Sequence, residues 1–181
     1  MRVFSLPFFL KTKCYQASGF TLIELVITML LLIVVTTIAI PSYTSFYNTT
    51  QDKIASERLL QALQIARNEA MLRGVTVTLC KSRDHVSCSG NWEDGQIIFT
   101  TTAPQKENIL TMVDGIKQKG VLHWQSSLHR EYVAFFPSGT TRGEDGTFWF
   151  CRSHESKASW AVVVNQAGRA RLAADVKRYA C

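Results

Sequence analysis

The C-terminal end of the chain concentrates residues whose types suit the binding of phosphate. Residues 165–181 contain four bases and one acid, in a chain of net charge +6. The bases are Arg169, Arg171, Lys177 and Arg178. Arg169 and Arg171 are two positions apart, so both side chains lie on one side of an extended segment. Two guanidinium groups on one side suit phosphate oxygens, and Gly168 beside them would permit close approach of a backbone or a phosphate.

Contacts of this kind would bind DNA without reading its bases, and their strength would depend on salt. The alternative interpretation is a solvated sheet edge, where exposed charges discourage aggregation. Both interpretations fit the spacing of the two arginines.

The cysteines predict disulfide bonds. Five are present, and one of them, Cys14, precedes Gly19. Without that N-terminal segment four remain, an even number that suits two disulfides in an oxidising compartment. Four cysteines allow three pairings. We favour Cys80–Cys88, which flanks a short loop, together with Cys151–Cys181, which would hold the C-terminus to a strand.

Metal binding and catalysis find little support in the sequence. His85 and His154 lie near cysteines, but structural zinc sites favour paired short spacings, and the separation of Cys80 from Cys88 is loose. The motifs G-x-S-x-G, H-E-x-x-H, G-x-G-x-x-G and the P-loop are absent from the sequence. We therefore predict that the protein is not an enzyme and that it uses no metal and no cofactor.

A single charge, Glu24, lies inside the longest apolar run of the chain, Phe20–Ile40. At about 1.5 Å per residue a helix of this length spans roughly 30 Å, the hydrocarbon core of a bilayer. A secretory signal peptide has its apolar region before a small-residue cleavage site, whereas here Ala17-Ser18-Gly19 comes first. Cleavage after Gly19 would leave the apolar helix on the mature protein. The alternative is a plain signal anchor.

The positioning elements are one long helix followed by strands. The helix is predicted to continue past Pro41 to about Arg73 and to stop at Gly74. One face of its second half is apolar at spacings of four, three and four. That face consists of Leu59, Leu63, Ala66 and Ala70, widened by Leu60 and Ile65.

Seven short segments rich in β-branched or aromatic residues follow Gly74 and are separated by turn signals. They are 75–80, 96–101, 109–113, 121–125, 132–136, 147–151 and 160–164. The predicted fold class is therefore α+β, with the amphipathic half of the long helix packed on an antiparallel sheet and the apolar half protruding.

The stretch GFTLIELVITMLLLIVVTTIAIPSY, residues 19–43, closely resembles the signal of type IV pilins and type II secretion pseudopilins. The resemblance implies that a prepilin peptidase cuts between Gly19 and Phe20 and methylates Phe20. It also places Pro41 at the proline of the pilin helix and makes Glu24 the fifth mature residue.

Glu24 then has a physical role. A lone carboxylate in lipid costs on the order of 2.5–3.5 kcal/mol, and a neighbouring subunit's N-terminal ammonium group would compensate it. We hypothesise that Glu24 docks the subunit into a filament.

Three further segments, 66–99, 135–151 and 162–172, resemble in order the GspH/FimT-type minor pilins. FimT-type proteins of naturally competent bacteria carry a C-terminal GRxR motif tied to DNA binding, and Gly168, Arg169 and Arg171 fit it. The resemblance implies a minor pilin whose partners are a prepilin peptidase, other major and minor pilins, and double-stranded DNA. Lys177 and Arg178 would add charge to the contact.

The resulting organisation has four parts: a cleaved leader (1–19), a transmembrane or filament-core helix (20–41), its amphipathic continuation (42–74) and a β-rich globular domain (75–181). The expected location is the bacterial inner membrane with a periplasmic globular domain, then the pilus. Two alternatives to a DNA-binding minor pilin stay open: a structural minor pilin without a ligand, and a GspH-like pseudopilin of type II secretion.

Overall fold

The computed structural model of the protein describes residues 19–102 and 106–181. Within them it has one long helix and eight strands, α1 (Leu22–Arg73), β1 (Val77–Lys81), β2 (Gly95–Thr102), β3 (Lys106–Asp114), β4 (Gly120–Ser126), β5 (Tyr132–Phe135), β6 (Gly146–Arg152), β7 (Trp160–Val164) and β8 (Ala170–Leu172). Two compact units divide the chain, Met1–Thr44 and Ser45–Cys181. The predicted leader lies outside the described residues except for Gly19.

Helix α1 begins at a capping signal. The main-chain N–H of Glu24 donates to Oγ1 of Thr21 at 3.3 Å, so Thr21 satisfies one of the free donors of the first turn. Thr21 and Glu24 have the spacing of a capping box, and an acid in the first turn also complements the helix dipole. The helix passes through Pro41 and ends at Arg73, with Gly74 following at φ +66°. This end agrees with the predicted stop.

The described strands form two antiparallel sheets of four strands each. The sequence predicted the antiparallel pairing but not the division of the strands into two sheets. The first sheet has the order β3-β2-β1-β5 and the second has the order β4-β6-β7-β8. Strand β8 was not predicted, because it has only three residues and none of them is β-branched.

Both sheets and the second half of α1 contribute to one core. Leu59, Leu63, Ala66 and Ala70 are buried there, as the periodicity predicted. The predicted widening of this face is wrong at Ile65, which is 39% exposed, whereas Ala62 is buried at 2%. A small residue at position 62 lets the helix approach the sheets closely. Burial of each large apolar side chain contributes about 1.5–3 kcal/mol.

A second, smaller cluster lies on the opposite face of the first sheet. Cys80, Ile97 and Phe99 are buried in it, and Tyr132 packs against them. Their neighbours along the strands, Leu79 and Ile98, point into the main core because alternate residues of a strand face opposite sides. The first sheet is therefore covered by apolar contacts on both faces.

The apolar half of α1 is exposed along its length in this single chain. Side chains from Phe20 to Ile40 are exposed, with Phe20 at 83% and Ile40 at 63%. The helix is long and apolar enough to cross a membrane. An apolar surface of this extent requires a lipid or protein environment.

Candidate nucleic-acid interface

A tight hairpin turn positions the two arginines. The main-chain N–H of Gly168 donates to the carbonyl of Asn165 at 2.8 Å, and that of Asn165 donates to the carbonyl of Arg169 at 3.1 Å. The Asn165 side chain also accepts from the N–H of Arg169 at 2.9 Å. This is a three-residue hairpin loop closed by a glycine in the left-handed region, at φ +71°. Asn165 and Gly168, three positions apart, are a turn signal that was missed in the sequence.

Gly168 has a structural reason to lack a side chain. A Cβ at this position would lie inside contact distance of the carbonyl oxygen of Gly139. The sequence suggested that a backbone or a phosphate could approach Gly168 closely. In the structure the backbone of Gly139 takes this place.

Strand register determines the direction of Arg171. In strand β8, Arg171 pairs with Val163, and Ala170 pairs with Val164. Val164 is buried in the main core, and Ala170 packs against that core. Because neighbouring residues of a strand face opposite sides, Arg171 lies on the outer face of the second sheet.

Arg169 continues the same pairing by one position. Arg169 lies opposite Asn165, and Arg171 lies opposite Val163, two positions further along the same pair of strands. Residues two positions apart face the same side, so the two arginines lie on one side of the hairpin. Both arginines are exposed. Strand β8 begins after Arg169, so only Arg171 is within a regular strand.

The chain end is tied to the second sheet near the end of β6, at the end of the sheet away from the β7–β8 turn. Cys151 on β6 and Cys181 form a disulfide, with their Cα atoms 5.5 Å apart. The N–H of Ala158 donates to the carbonyl of Tyr179 at 3.1 Å, and the N–H of Cys181 donates to the carbonyl of Ser156 at 3.2 Å. The tail that carries Lys177 and Arg178 is therefore held by covalent and main-chain contacts.

Aromatic rings hold the tail on the same outer face. Trp149 alternates with the core residues Phe148 and Phe150, so its ring lies on the outer side of β6. The ring of Tyr179 stacks on Trp149 at 5.7 Å between centroids. The guanidinium of Arg178 lies 4.9 Å from the centroid of Tyr179 and donates to its hydroxyl at 2.6 Å. A cation over an aromatic ring contributes about 0.5–1 kcal/mol when exposed.

The four C-terminal bases have no ion-pair partner in the part of the chain that the structure describes. Among the described residues no carboxylate is within ion-pair distance of Arg169, Arg171, Lys177 or Arg178. All four are exposed. We call the surface formed by these residues the basic face.

Carboxyl groups with a shifted pKa lie outside the basic face in the described part of the chain. Hydrogen bonds from main-chain N–H groups lower the pKa of Asp84 and of Asp94. Burial raises the pKa of Asp52 and of Glu144. Each of the four is explained by local hydrogen bonding or packing.

The cysteines considered as zinc ligands are engaged in disulfides. Cys80 is bonded to Cys88 with their Cα atoms 5.7 Å apart, and the second pair is Cys151–Cys181. These are the two pairings that the spacing favoured. No cluster of three or more metal-ligating side chains occurs within residues 19–102 and 106–181.

The N-terminal residues singled out in the sequence lie next to the start of α1. Gly19 and Phe20 precede the helix and are exposed, and Glu24 is exposed in its first turn. The capping role that Thr21 gives to this turn was missed in the sequence, where T-x-x-E is its signal. Glu24 thus has a favourable position within a single chain as well as a hypothetical role between chains.

One long N-terminal helix followed by antiparallel sheets, with a glycine, a phenylalanine and a glutamate at its start, defines the pilin class of proteins. A prokaryotic N-terminal methylation motif matches residues 15–40. The sequence model described as type II transport protein GspH matches residues 55–168. The chain belongs to the GspH family.

Solved structures share the fold. The type IV minor pilin FimU of Pseudomonas aeruginosa is 23% identical, with a TM-score of 0.54 over 71% of this chain and 91% of that chain. The minor pseudopilin EpsH of Vibrio cholerae, from the type II secretion system, is 17% identical, with a TM-score of 0.51 over 67% of this chain and 94% of that chain. A comparison with curated proteins finds no match.

These findings confirm the GspH/FimT-type assignment and the α+β fold. The family and the fold are those of structural pilins and pseudopilins. The methylation motif implies processing by a prepilin peptidase and partners among the pilins. The apolar helix agrees with membrane anchoring before assembly.

Proposed function

We propose that this chain is a minor type IV pilin that binds extracellular DNA during DNA uptake in natural transformation. The contact is the basic face, with Arg169 and Arg171 as its main residues and Lys177 and Arg178 adding charge. We expect little base preference, because within the described residues these bases do not lie on a helix that could read the major groove. The single observation that carries the proposal is the shared outward direction of the two arginines, which are exposed and have no carboxylate partner within residues 19–102 and 106–181.

The disulfide and the stacked tyrosine support the proposal energetically. Binding orders flexible side chains and loops at a cost of about 0.5–1.5 kcal/mol per side chain. A tail held by Cys151–Cys181 and by the ring of Trp149 has part of its freedom removed before DNA arrives. Positive charge held in place retains more of its favourable interaction with phosphate.

A mobility-shift experiment at several salt concentrations tests the proposal, with the full chain in a non-ionic detergent and a short duplex. With about four phosphate contacts, the logarithm of the binding constant should fall with the logarithm of salt at a slope of about −0.9 per contact. The double variant Arg169→Gln/Arg171→Gln should bind about tenfold or more weakly and lose about 1.8 from the slope.

The matched control is Lys117→Gln/Lys119→Gln. These two lysines are also two positions apart and exposed, and they lie outside the basic face. The control should bind as the unmodified chain does. Absence of a shift at low salt, or equal losses in the two double variants, would exclude the basic face as the DNA contact.

A pseudopilin of type II secretion is the second candidate function, favoured by the description of the family that matches this chain. A minor pilin that primes or caps a filament without a ligand is the third. Both predict no shift in the DNA experiment. The proposed location is the inner membrane with the globular unit in the periplasm, and afterwards the filament.

We also propose that the cut falls between Gly19 and Phe20, that Phe20 is methylated, and that Glu24 pairs with the N-terminal ammonium group of a neighbouring subunit. The exposure of Glu24 within a fully exposed apolar run supports this pairing. The predicted division at 1–19, 20–41, 42–74 and 75–181 stays a proposal beside the two compact units of the fold.

A further inference from the structure

Three segments that are distant in the sequence meet beside Gly168: helix α1, the loop between β5 and β6, and the turn between β7 and β8. The carbonyl of Gly139 fills the space that a side chain on Gly168 would take. Arg67 of α1 donates from Nε to the same carbonyl at 2.9 Å. The N–H of Thr141 donates to the carbonyl of Gln166 at 3.1 Å, so the loop and the turn are joined directly.

Arg67 is held in place beside Gly168, the residue before Arg169. Its Nε lies 3.2 Å from the position that a Cβ on Gly168 would occupy. The side chain is half-buried, and the bond to Gly139 uses only Nε. A guanidinium group has four further N–H donors on its two terminal nitrogens.

The charge of Arg67 has no carboxylate partner among the described residues. Three other arginines of the same globular unit, Arg73, Arg83 and Arg152, are neutralised. Arg73, also on α1, pairs with Glu69 at 2.5 Å, and Arg152 pairs with Asp52 and Glu155. A half-buried guanidinium with an anchored Nε and free terminal nitrogens is suited to an anion from outside the chain.

We propose that Arg67 and Arg169 form a phosphate-binding subsite at this junction, and that it binds a phosphodiester of the DNA held by the basic face. The proposal rests on the proposed function and extends the DNA contact onto helix α1. Arg67 lies beside Gly168 at the tip of the β7–β8 hairpin, and Arg169 follows Gly168 directly, so one phosphodiester at this tip would contact both guanidinium groups. Anchoring through Nε lowers the conformational entropy lost when a phosphate binds.

The test compares Arg67→Gln, Arg67→Lys and the control Arg58→Gln in the full chain in a non-ionic detergent. Arg58 is an exposed arginine on the same helix and is distant from the turn, so Arg58→Gln removes the same charge elsewhere. We expect Arg67→Gln to bind the short duplex about three- to tenfold more weakly and to lower the salt slope by about 0.9. Arg67→Lys should keep the slope, and Arg58→Gln should leave both quantities unchanged.

A purely supporting role of Arg67 would give a different result. Loss of the bond to Gly139 would loosen the turn, and hydrogen exchange of the Gly168 N–H would then accelerate. A weaker affinity in Arg67→Gln with an unchanged salt slope and faster exchange at Gly168 would overturn the subsite. Equal affinities of Arg67→Gln and Arg58→Gln would overturn it as well.

A second measurement separates this subsite from DNA binding in general. Inorganic phosphate that binds the folded chain raises its unfolding midpoint by mass action. The rise should be larger in the unmodified chain and in Arg58→Gln than in Arg67→Gln, where only the general stabilising effect of phosphate remains. The rise that reports the subsite is this excess over Arg67→Gln. If DNA does not bind but this excess is seen, the proposed function fails and the anion subsite stands. If DNA binds through Arg169 and Arg171 but no excess is seen, the subsite fails and the function stands.

Discussion

Gly168 is the residue on which the arrangement of the basic face depends. Its φ of +71° closes the hairpin, and the carbonyl of Gly139 occupies the space beside its Cα. The two requirements are independent, because one concerns the backbone and the other concerns packing against a distant loop. The glycine at position 168 is therefore explained by the fold without a ligand.

Replacement of Gly168 by alanine should destabilise the protein by about 2–4 kcal/mol, since the new Cβ clashes with a main-chain oxygen. The measurement is the denaturant midpoint. Gly143→Ala is the control, because Gly143 also has a positive φ, of +96°, but a Cβ there meets only Leu128 at 3.6 Å. The control should lose about 1–2 kcal/mol. Equal losses would mean that backbone strain alone decides the requirement for glycine.

Single residues show where sequence reasoning reached its limit. The spacing of Arg169 and Arg171 predicted one side for both, and the register agrees. No role was assigned to Arg67 from the sequence beyond its place in the segment 66–99 that resembles the minor pilins, because its neighbour Gly168 lies far along the chain. A contact between a helix and a turn distant in sequence depends on how the elements pack, which spacing does not report.

At the scale of elements, the C-terminal tail is positioned by the Cys151–Cys181 disulfide and by the Tyr179–Trp149 stack. Neither contact belongs to a regular strand pairing. Without them the tail would keep the isolated bridge of Lys157 with Ala180, the hydrogen bond from Trp149 Nε1 to the carbonyl of Ala180 at 3.2 Å, and a few main-chain hydrogen bonds. The position of Lys177 and Arg178 therefore depends on this disulfide.

Removal of that disulfide by Cys151→Ser/Cys181→Ser should lower the free energy of unfolding by about 4 kcal/mol, because it closes a loop of sequence separation 30. It should also reduce the salt slope of DNA binding by up to about 1.8, since Lys177 and Arg178 lose their position. Chemical denaturation and mobility shifts measure the two effects.

The matched control is Cys80→Ser/Cys88→Ser, whose loop has sequence separation 8 and whose loss should amount to about 2.5 kcal/mol. Its salt slope should not change, because this disulfide lies on the first sheet. A reduced slope in the control would show that general loosening, and not the tail, controls DNA binding.

Elements were predicted well where their pattern was strong. The long helix, its end at Arg73 and seven of the eight strands follow from periodicity and turn signals. Strand β8 was missed because three residues are too few to show an alternation. Ile65 was misassigned because an apolar residue near the edge of a helix face can be exposed when a smaller neighbour, Ala62, makes the contact.

At the scale of the whole molecule, the exposed apolar half of α1 requires an environment that the single chain does not supply. Membrane lipid and neighbouring subunits of a filament both provide it. Glu24 is the only charge in that run, so it distinguishes the two environments: it is unfavourable in lipid and compensated beside an ammonium group.

Glu24→Gln should reduce incorporation into filaments by about tenfold or more, because glutamine keeps the capping-box position but carries no charge to pair with the neighbouring N-terminus. Immunoblots of sheared filaments and of membranes from the same cells measure incorporation. Membrane insertion should be undiminished, and the mass of the N-terminal peptide should still show cleavage before Phe20. Normal incorporation of Glu24→Gln would exclude charge pairing as the docking contact.

The order of residues along the chain was sufficient to identify the N-terminal signal, the family, the α+β class and a basic C-terminus. Each of these is local, since it depends on residue types within one short segment. Tertiary structure alone decided that Arg171 faces outward from the second sheet and that Arg67 lies beside Gly168. The physical reason is that the direction of a side chain follows from strand register and turn geometry. Contact between distant residues follows from the packing of helix, loop and hairpin around a common core.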